Sequence, residues 1–234
     1  MRALDPDPID GAVGTRAAKN RLHEAFALVG KAIANPHRVE LLDLLAQAER
    51  PVEALAARAD MSVALTSAHL QTLRRAGLVA SRRDGNRILY RVSGADAYSL
   101  LASLRTVATG RMAEAERAAR AYLGKPLEAL SRAELLERVA AGTAVVVDLR
   151  PHEEYAAGHI AGAISIPLPE LEARLAELPA DIEVVAYCRG PYCAMAPQGV
   201  ALLRRLGRRA TRVEDGFPEW RIAGLPVERG DAPS

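Results

Sequence analysis

The sequence predicts a multidomain α+β protein: a mainly helical N-terminal unit closed by a β-hairpin, then an α/β unit built on a parallel sheet. Three observations predict it. Residues 16–76 place apolar side chains at helical spacing, and the period then switches to two strand-like runs around Asp84-Gly85-Asn86. Gly124-Lys125-Pro126 interrupts the chain near its middle, where Gly ends helices and Pro resists continuing them. Beyond it, strands alternate with helices, the pattern of a layered α/β unit. The 234 residues suffice for two ordinary domains. The expected division is an arm over 1–14, a first domain over 15–123, a linker over 124–126 and a second domain over 127–234.

Taken in order, Leu22, Phe26, Val29 and Ile33 mark a helix from about Arg16 to Ala34. Asn35-Pro36 restarts the chain, since Pro is tolerated in a first helical turn. Val39, Leu41, Leu42, Leu44 and Leu45 mark a second helix, and Pro51 opens a short third one. After the turn Ala59-Asp60-Met61, Ser62 can cap a fourth helix, Val63 to Ala76, ended by Gly77. Leu78–Arg83 and Arg87–Val92 form the hairpin. One long helix is expected over Ala95–Leu123. In the second domain the strands are Val145–Val147, Ala163–Ile166, 182–187 and Thr211–Val213. The helices are Arg132–Ala141, Leu168–Glu177 and 194–206.

Charge separates the two halves. Residues 1–124 carry 18 Lys+Arg against 13 Asp+Glu, and residues 125–234 carry 13 against 16. Six arginines lie between positions 74 and 91 with a single acid, Asp84. Helices three and four with their turn read as a helix-turn-helix, the second presenting Ser62, Ala64, Thr66, Ser67, His69 and Gln71. Short polar residues let such a helix approach base edges, while Arg74, Arg75, Arg82, Arg83 and Arg87 would meet phosphates. The expected partner is double-stranded DNA.

Both cysteines lie in Cys188-Arg189-Gly190-Pro191-Tyr192-Cys193, between a buried strand and a helix. Backbone N–H groups and the helix dipole favour a thiolate there, which makes Cys188 the candidate nucleophile. Arg189 adds positive charge, and Cys193 is a candidate resolving thiol. Residues 1–20 carry no apolar leader-like run and no stretch is long enough to span a membrane, so a cytoplasmic location is expected. Two cysteines in such a chain fit redox-active thiols better than a structural framework.

The N-terminal half resembles the ArsR/SmtB family of winged-helix repressors. The resemblance rests on Ala34-Asn35-Pro36-His37-Arg38, Leu41–Leu45, Ser67-Ala68-His69-Leu70, Leu73–Val79 and the wing Arg83–Val92. It implies a homodimer formed through the first and last helices on a pseudo-palindromic operator. The family's usual metal sites are absent: residues 1–187 hold no cysteine and the long helix no histidine, so no metal or cofactor is expected.

The C-terminal half resembles a single rhodanese domain over residues 125–230. Val147-Asp148-Leu149-Arg150, Glu153-Glu154-Tyr155, Gly158–Ala163 and Asp215–Arg221 carry that resemblance, with Ala223–Val227 after them. It implies that Cys188 holds a persulfide cradled by loop amides, taken as those of Gly190, Pro191, Tyr192 and Ala194. Asp148, Arg150, Glu154 and His159 are expected to be structural neighbours of the site. Ala194 stands where related arsenate- or phosphate-handling loops carry Arg, which argues against those chemistries. Two functions remain open at this point. One is a regulator, expected to be a repressor, that senses or relays reactive sulfur through Cys188 with a possible Cys188–Cys193 disulfide. The other is a sulfurtransferase, acting between a small sulfur donor and a thiol acceptor, tethered to a DNA-binding domain.

Overall fold

The computed structural model describes residues 14–124 and 127–230. Residues 1–13 of the expected arm (1–14), two residues of the linker (125 and 126) and the last four residues lie outside the described ones.

The first domain opens with α1 (Arg16–Ile33), α2 (Pro36–Gln47), β1 (Arg50–Pro51), α3 (Val52–Arg58) and α4 (Val63–Arg75). It continues through β2 (Val79–Asp84), β3 (Arg87–Val92), α5 (Ala95–Arg111) and α6 (Ala113–Leu123). Asn35 caps α2 by accepting from the Arg38 N–H at 3.2 Å, and Ser62 caps α4 by accepting from the Leu65 N–H at 3.2 Å. Leu41, Leu42, Leu55, Leu70, Leu73, Tyr98 and Leu101 fill the core between these helices and the hairpin. The hairpin gains a third strand, order β1-β3-β2, because Arg50 pairs with Tyr90 and Pro51 with Leu89.

The single long helix expected over 95–123 is two helices, parted where Met112 adopts extended backbone (φ −115°, ψ 107°). Thr106 and Thr109 donate their hydroxyls back to the carbonyls of Ala102 and Arg105, and Gly110 follows. Back-bonded threonines bend a helix and glycine weakens it, which accounts for the break.

The second domain begins with β4 (Ala129–Leu130), α7 (Arg132–Ala140), β5 (Ala144–Asp148), α8 (His152–Ala157), β6 (His159–Ile160) and β7 (Ile164–Ser165). It is completed by β8 (Glu183–Tyr187), α9 (Met195–Arg205), β9 (Ala210–Val213), α10 (Phe217–Ile222) and β10 (Val227–Glu228). The main sheet runs β4-β9-β8-β5-β7, parallel throughout. Parallel strands covered on both faces read as continuous apolar runs, as Val145-Val146-Val147 and Val184-Val185-Ala186 do. Ser131 and Glu134 close a capping box at the start of α7.

The helix expected over Leu168–Glu177 is instead two short 3-10 turns, Leu168–Glu170 and Leu175–Glu177. Leu171 and Leu178 are both buried, and the longer rise of a 3-10 turn lets so short a crossover reach both sites between Pro169 and Pro179.

Candidate functional site

The residues expected to contact DNA lie on α4 and the hairpin. Ser62, Ala64 and Ala68 are exposed, and Ser67, His69 and Gln71 are half-buried. Thr66 is a correction to the expected contact set. It is fully buried and donates its hydroxyl to the Ser62 carbonyl at 3.0 Å, one turn back, so it fixes the start of α4. His69 turns toward α2, its ring 5.7 Å from that of His37. Burial and the charge of Arg38 hold its pKa below the ordinary histidine value. On the hairpin, Arg82 pairs with Glu49 and Asp84, so part of its charge is neutralised locally. Arg75, Arg87 and Arg91 are exposed and make no ion pair among the described residues, which leaves them available to phosphate.

The thiol site sits at the C-terminal end of β8, a central strand, on the loop that leads into α9. Cys188 is 2% exposed, its thiol 3.7 Å from the Cys193 carbonyl oxygen it donates to. The backbone N–H groups of Gly190 and Ala196 face its sulfur, and those of Arg189 and Met195 face Cys193. The amide cradle is therefore shifted from the expected set. Pro191 has no N–H to offer, and the amides of Met195 and Ala196 come from the first turn of α9.

The two thiols share one environment but differ in protonation. Burial, reinforced by hydrogen bonding to Cys193, pushes the Cys188 thiol well above its ordinary value. A hydrogen bond from Cys188, with help from two backbone amides and the Arg189 charge, lowers Cys193 to about 7. These directions favour charge at Cys193 over Cys188, where the loop amides and helix dipole were expected to hold it. The rate of Cys193 alkylation by iodoacetamide should rise with pH and reach half its maximum near pH 7, while Cys188 stays unreactive throughout. Peptide-resolved mass spectrometry over pH 5–9 checks this.

Close backbone approach holds the loop. A Cβ added at Gly216 would lie 2.2 Å from the Gly190 nitrogen, and the Phe217 N–H donates to the Cys188 carbonyl at 3.2 Å. Only a residue without a side chain lets α10 press against the loop this way. Gly216→Ala should cost about 1–3 kcal/mol in thermal or urea unfolding, because the loop must move outward.

Behind the loop lies a buried charge network. Arg150 and Asp148 are both fully buried, with Arg150 Nε donating to Asp148 Oδ1 at 3.0 Å and Nη2 to the Gly158 carbonyl at 2.8 Å. Arg150 also lies 4.4 Å over the Phe217 ring. His159 stacks on Tyr155 at 3.6 Å between ring centroids and bonds its carbonyl through Nδ1 at 2.9 Å. Glu154, with no exposed surface, accepts from Arg189 Nη2 at 2.7 Å and Arg50 Nη2 at 2.8 Å.

Arg50 belongs to the first domain, and several residues there reach the thiol loop or the helices packed beside it. Gln47 Nε2 donates to the Arg189 carbonyl at 3.1 Å, and the Thr109 hydroxyl meets the Tyr192 hydroxyl at 2.9 Å. Arg105 lies over the Tyr192 ring, Tyr98 donates to Glu219, and Arg221 donates to the Ala46 carbonyl at 3.2 Å. The loop is thus held between its own sheet and α2 and α5 of the first domain, while β1 reaches Glu154, which Arg189 of the loop also contacts. Sequence reasoning missed Gln47, Arg50, Tyr98 and Arg105, because it treated the halves as independent.

Among the described residues no cluster of three or more His, Cys, Asp or Glu could hold a metal ion, and no helix is long and apolar enough to cross a membrane.

Comparison with known proteins matches both halves. The model of the family "Bacterial regulatory protein, arsR family" covers residues 35–81, and that of "Rhodanese-like domain" covers 131–223. The HTH-type transcriptional regulator Rv0324 of Mycobacterium tuberculosis is 51% identical over 217 residues, spanning 93% of this chain and 96% of that protein. The thiosulfate:glutathione sulfurtransferase of Homo sapiens is 35% identical over 104 residues, 39% of this chain and 90% of that one. A solved homodimeric winged helix-turn-helix fragment, Mb0332 of Mycobacterium bovis, is 43% identical and covers 44% of this chain and 94% of its own, with a TM-score of 0.41. The chain belongs to the arsR-type helix-turn-helix transcriptional regulators and carries a C-terminal rhodanese-like domain.

Proposed function

We propose that this DNA-binding regulator is a cytoplasmic repressor whose rhodanese-like domain senses reactive sulfur at the Cys188–Cys193 loop. A persulfide at Cys188, with a Cys188–Cys193 disulfide as a further oxidised state, is the modified form. The observation that carries the reading is the clasp: the loop bearing both cysteines is hydrogen-bonded to α2 and α5 of the DNA reader through Gln47 and Thr109. Cys188 is 2% exposed, and a sulfur atom added in so closely packed an interior displaces the loop. Displacement breaks the hydrogen bonds to the reader, and the reader's geometry follows.

The reader acts as a homodimer through its first and last helices. Phe26 of α1 is 62% exposed and Val107 of α5 is 61% exposed, apolar surface that a second copy would cover. Each protomer then places one α4 in a major groove, and a loop-driven shift of α5 alters their spacing.

The sulfurtransferase reading is the rival. It is favoured by the similarity to the human thiosulfate:glutathione sulfurtransferase, and it predicts turnover of thiosulfate with a thiol acceptor.

The test uses an operator selected in vitro from random duplexes by the untreated protein. Fluorescence anisotropy should show affinity falling at least about tenfold, or about 1.4 kcal/mol, after polysulfide treatment. The Cys188→Ser protein should bind equally well with and without treatment. Unchanged affinity in the wild type, or an equal response in Cys188→Ser, overturns the regulatory reading. Turnover that proceeds with no change in DNA affinity establishes the rival.

A further inference from the structure

A cleft of about 790 Å³ opens between the hairpin and the second domain, away from the thiol loop. Strand alternation puts Arg82, Leu89 and Arg91 on its hairpin wall, because Tyr90 between them is buried in the first core. Arg221 of α10 and Arg229 after β10 face them from the other side. Among the residues that line the cleft, Glu49 is the only acid. It is taken by Arg82 at 2.7 Å. Arg91 and Arg229 have no ion pair or side-chain hydrogen bond among the described residues, and Arg221 has only a carbonyl and an aromatic face. Three guanidinium groups, drawn from both domains, therefore share one cleft without a counter-charge.

We propose that this cleft is an effector site for a small multivalent anion, one carrying two or more negative charges on phosphate or carboxylate groups, and that the bound anion weakens the grip on DNA. Charge decides the class of ligand: three uncompensated cations suit more than one negative charge, and guanidinium forks match phosphate and carboxylate oxygens. Leu89 and Ile222 add apolar wall for the body of an organic anion. The position of Arg221 favours a small ligand over a duplex. Its Nη2 donates at 3.2 Å to the carbonyl of Ala46, a residue with no exposed surface, and its guanidinium lies 5.5 Å from the centre of the buried Phe217 ring. A small anion reaches into such a crevice, whereas the backbone of a duplex meets side chains that project. Desolvation, and then the charges of Arg229 and Arg150, lower the Arg221 pKa from its ordinary value, as expected of a cation short of negative neighbours.

The cleft couples to DNA through its hairpin wall. Arg91 is one of the exposed arginines available to phosphate, and an anion bridging it to Arg221 and Arg229 takes it from the DNA backbone. The same bridge ties the hairpin to the second domain, whose side of the cleft is anchored by the Gly230 N–H donating to the Ala156 carbonyl at 3.0 Å. Anion and operator therefore oppose each other, and by linkage each lowers the affinity for the other by one common factor. Neither cysteine takes part, so this input stands apart from the sulfur reading and survives if that reading fails.

The experiment titrates inorganic pyrophosphate, and separately citrate, into the DNA-free full-length protein at constant ionic strength, with calorimetric detection. Saturable binding of at least one of the two is expected. Arg229→Gln removes a side chain that has no partner to lose, and should raise the Kd about tenfold. Glu49→Gln removes the acid of the lining and should lower it, opposite shifts that a general loss of folding cannot give. In operator titrations read by anisotropy, the bound anion should weaken the wild type at least about fivefold, and Cys188→Ser to the same extent. In Arg229→Gln the same anion concentration should have a much smaller effect. Absence of saturable binding by both anions, or a Kd unchanged in Arg229→Gln, overturns the site. So does an Arg229→Gln protein that, without any anion, binds operator more weakly and with a shallower salt dependence, since Arg229 is then a contact to the DNA backbone.

Discussion

Arg50→Ala is expected to destabilise the protein by about 3–5 kcal/mol, the cost of breaking a buried ion pair by removing one partner. Arg50 and Glu154 are both buried, so the variant leaves a carboxylate inside the protein with Arg189 as its remaining cation. Glu153 loses a partner too, although its exposure makes that loss small. The effect extends beyond stability. Arg50 sits on β1, whose register partners Tyr90 and Leu89 belong to the hairpin, so its loss loosens the wing from the thiol loop at once. Urea unfolding measures the first effect. Cys188 alkylation should become detectable in native buffer, which measures the second. Arg50→Lys keeps the charge but loses the fork geometry that reaches Glu153 and Glu154 together, and should fall between. An Arg50→Ala protein as stable as the wild type, with Cys188 still inert, would remove the clasp from the account.

The second large effect lies on the DNA side. Replacing Arg75, Arg87 and Arg91 together by alanine should lower operator affinity by at least about a hundredfold at moderate salt. Each phosphate left without its arginine lowers the steepness of the salt dependence by roughly 0.9 log units per log unit of salt, and in a dimer every substitution counts twice. The loss of affinity should be similar on specific and random duplexes, because arginines on phosphates position the protein without reading sequence. Sulfur loading at the cysteines should be unchanged, since among the described residues none of these arginines hydrogen-bonds to the second domain. An unaltered salt dependence would mean that the hairpin does not touch the DNA backbone.

Much of this organisation is legible in the sequence, for local reasons. The helix starts at Asn35-Pro36, Ser62 and Ser131 are written by capping chemistry, and β5 and β8 by their β-branched runs. The thiol loop is legible because a strand, two cysteines and a helix follow one another within a few residues. What is hidden is long-range. Nothing near Arg50 announces that Glu154, 104 residues away, will share its burial. Nothing near Gln47 points to the Arg189 carbonyl, 142 residues on. The protonation of the thiols is hidden for the same reason: helix-dipole reasoning favours a thiolate at Cys188, but its burial opposes charge there, while loop amides and Arg189 favour it at the half-buried Cys193. The break at Met112 is masked by helix-compatible residues on either side of it, and only the back-bonded Thr106 and Thr109 ahead of Gly110 mark it.

In the proposed function, chemistry at the thiol loop and occupancy of DNA are two readings of one equilibrium. By linkage, operator DNA must then change the affinity of the loop for sulfur by the same factor that sulfur changes the affinity for DNA. The direct measurement therefore titrates thiosulfate or polysulfide into the full-length protein with and without saturating operator, reading the loaded fraction of Cys188 by mass spectrometry and bound DNA by anisotropy on the same samples. Bound operator should raise the donor concentration for half-loading at equilibrium by at least about tenfold, matching the loss of DNA affinity on loading. Coincident loading curves with and without operator, with the DNA still bound at full loading, would contradict it.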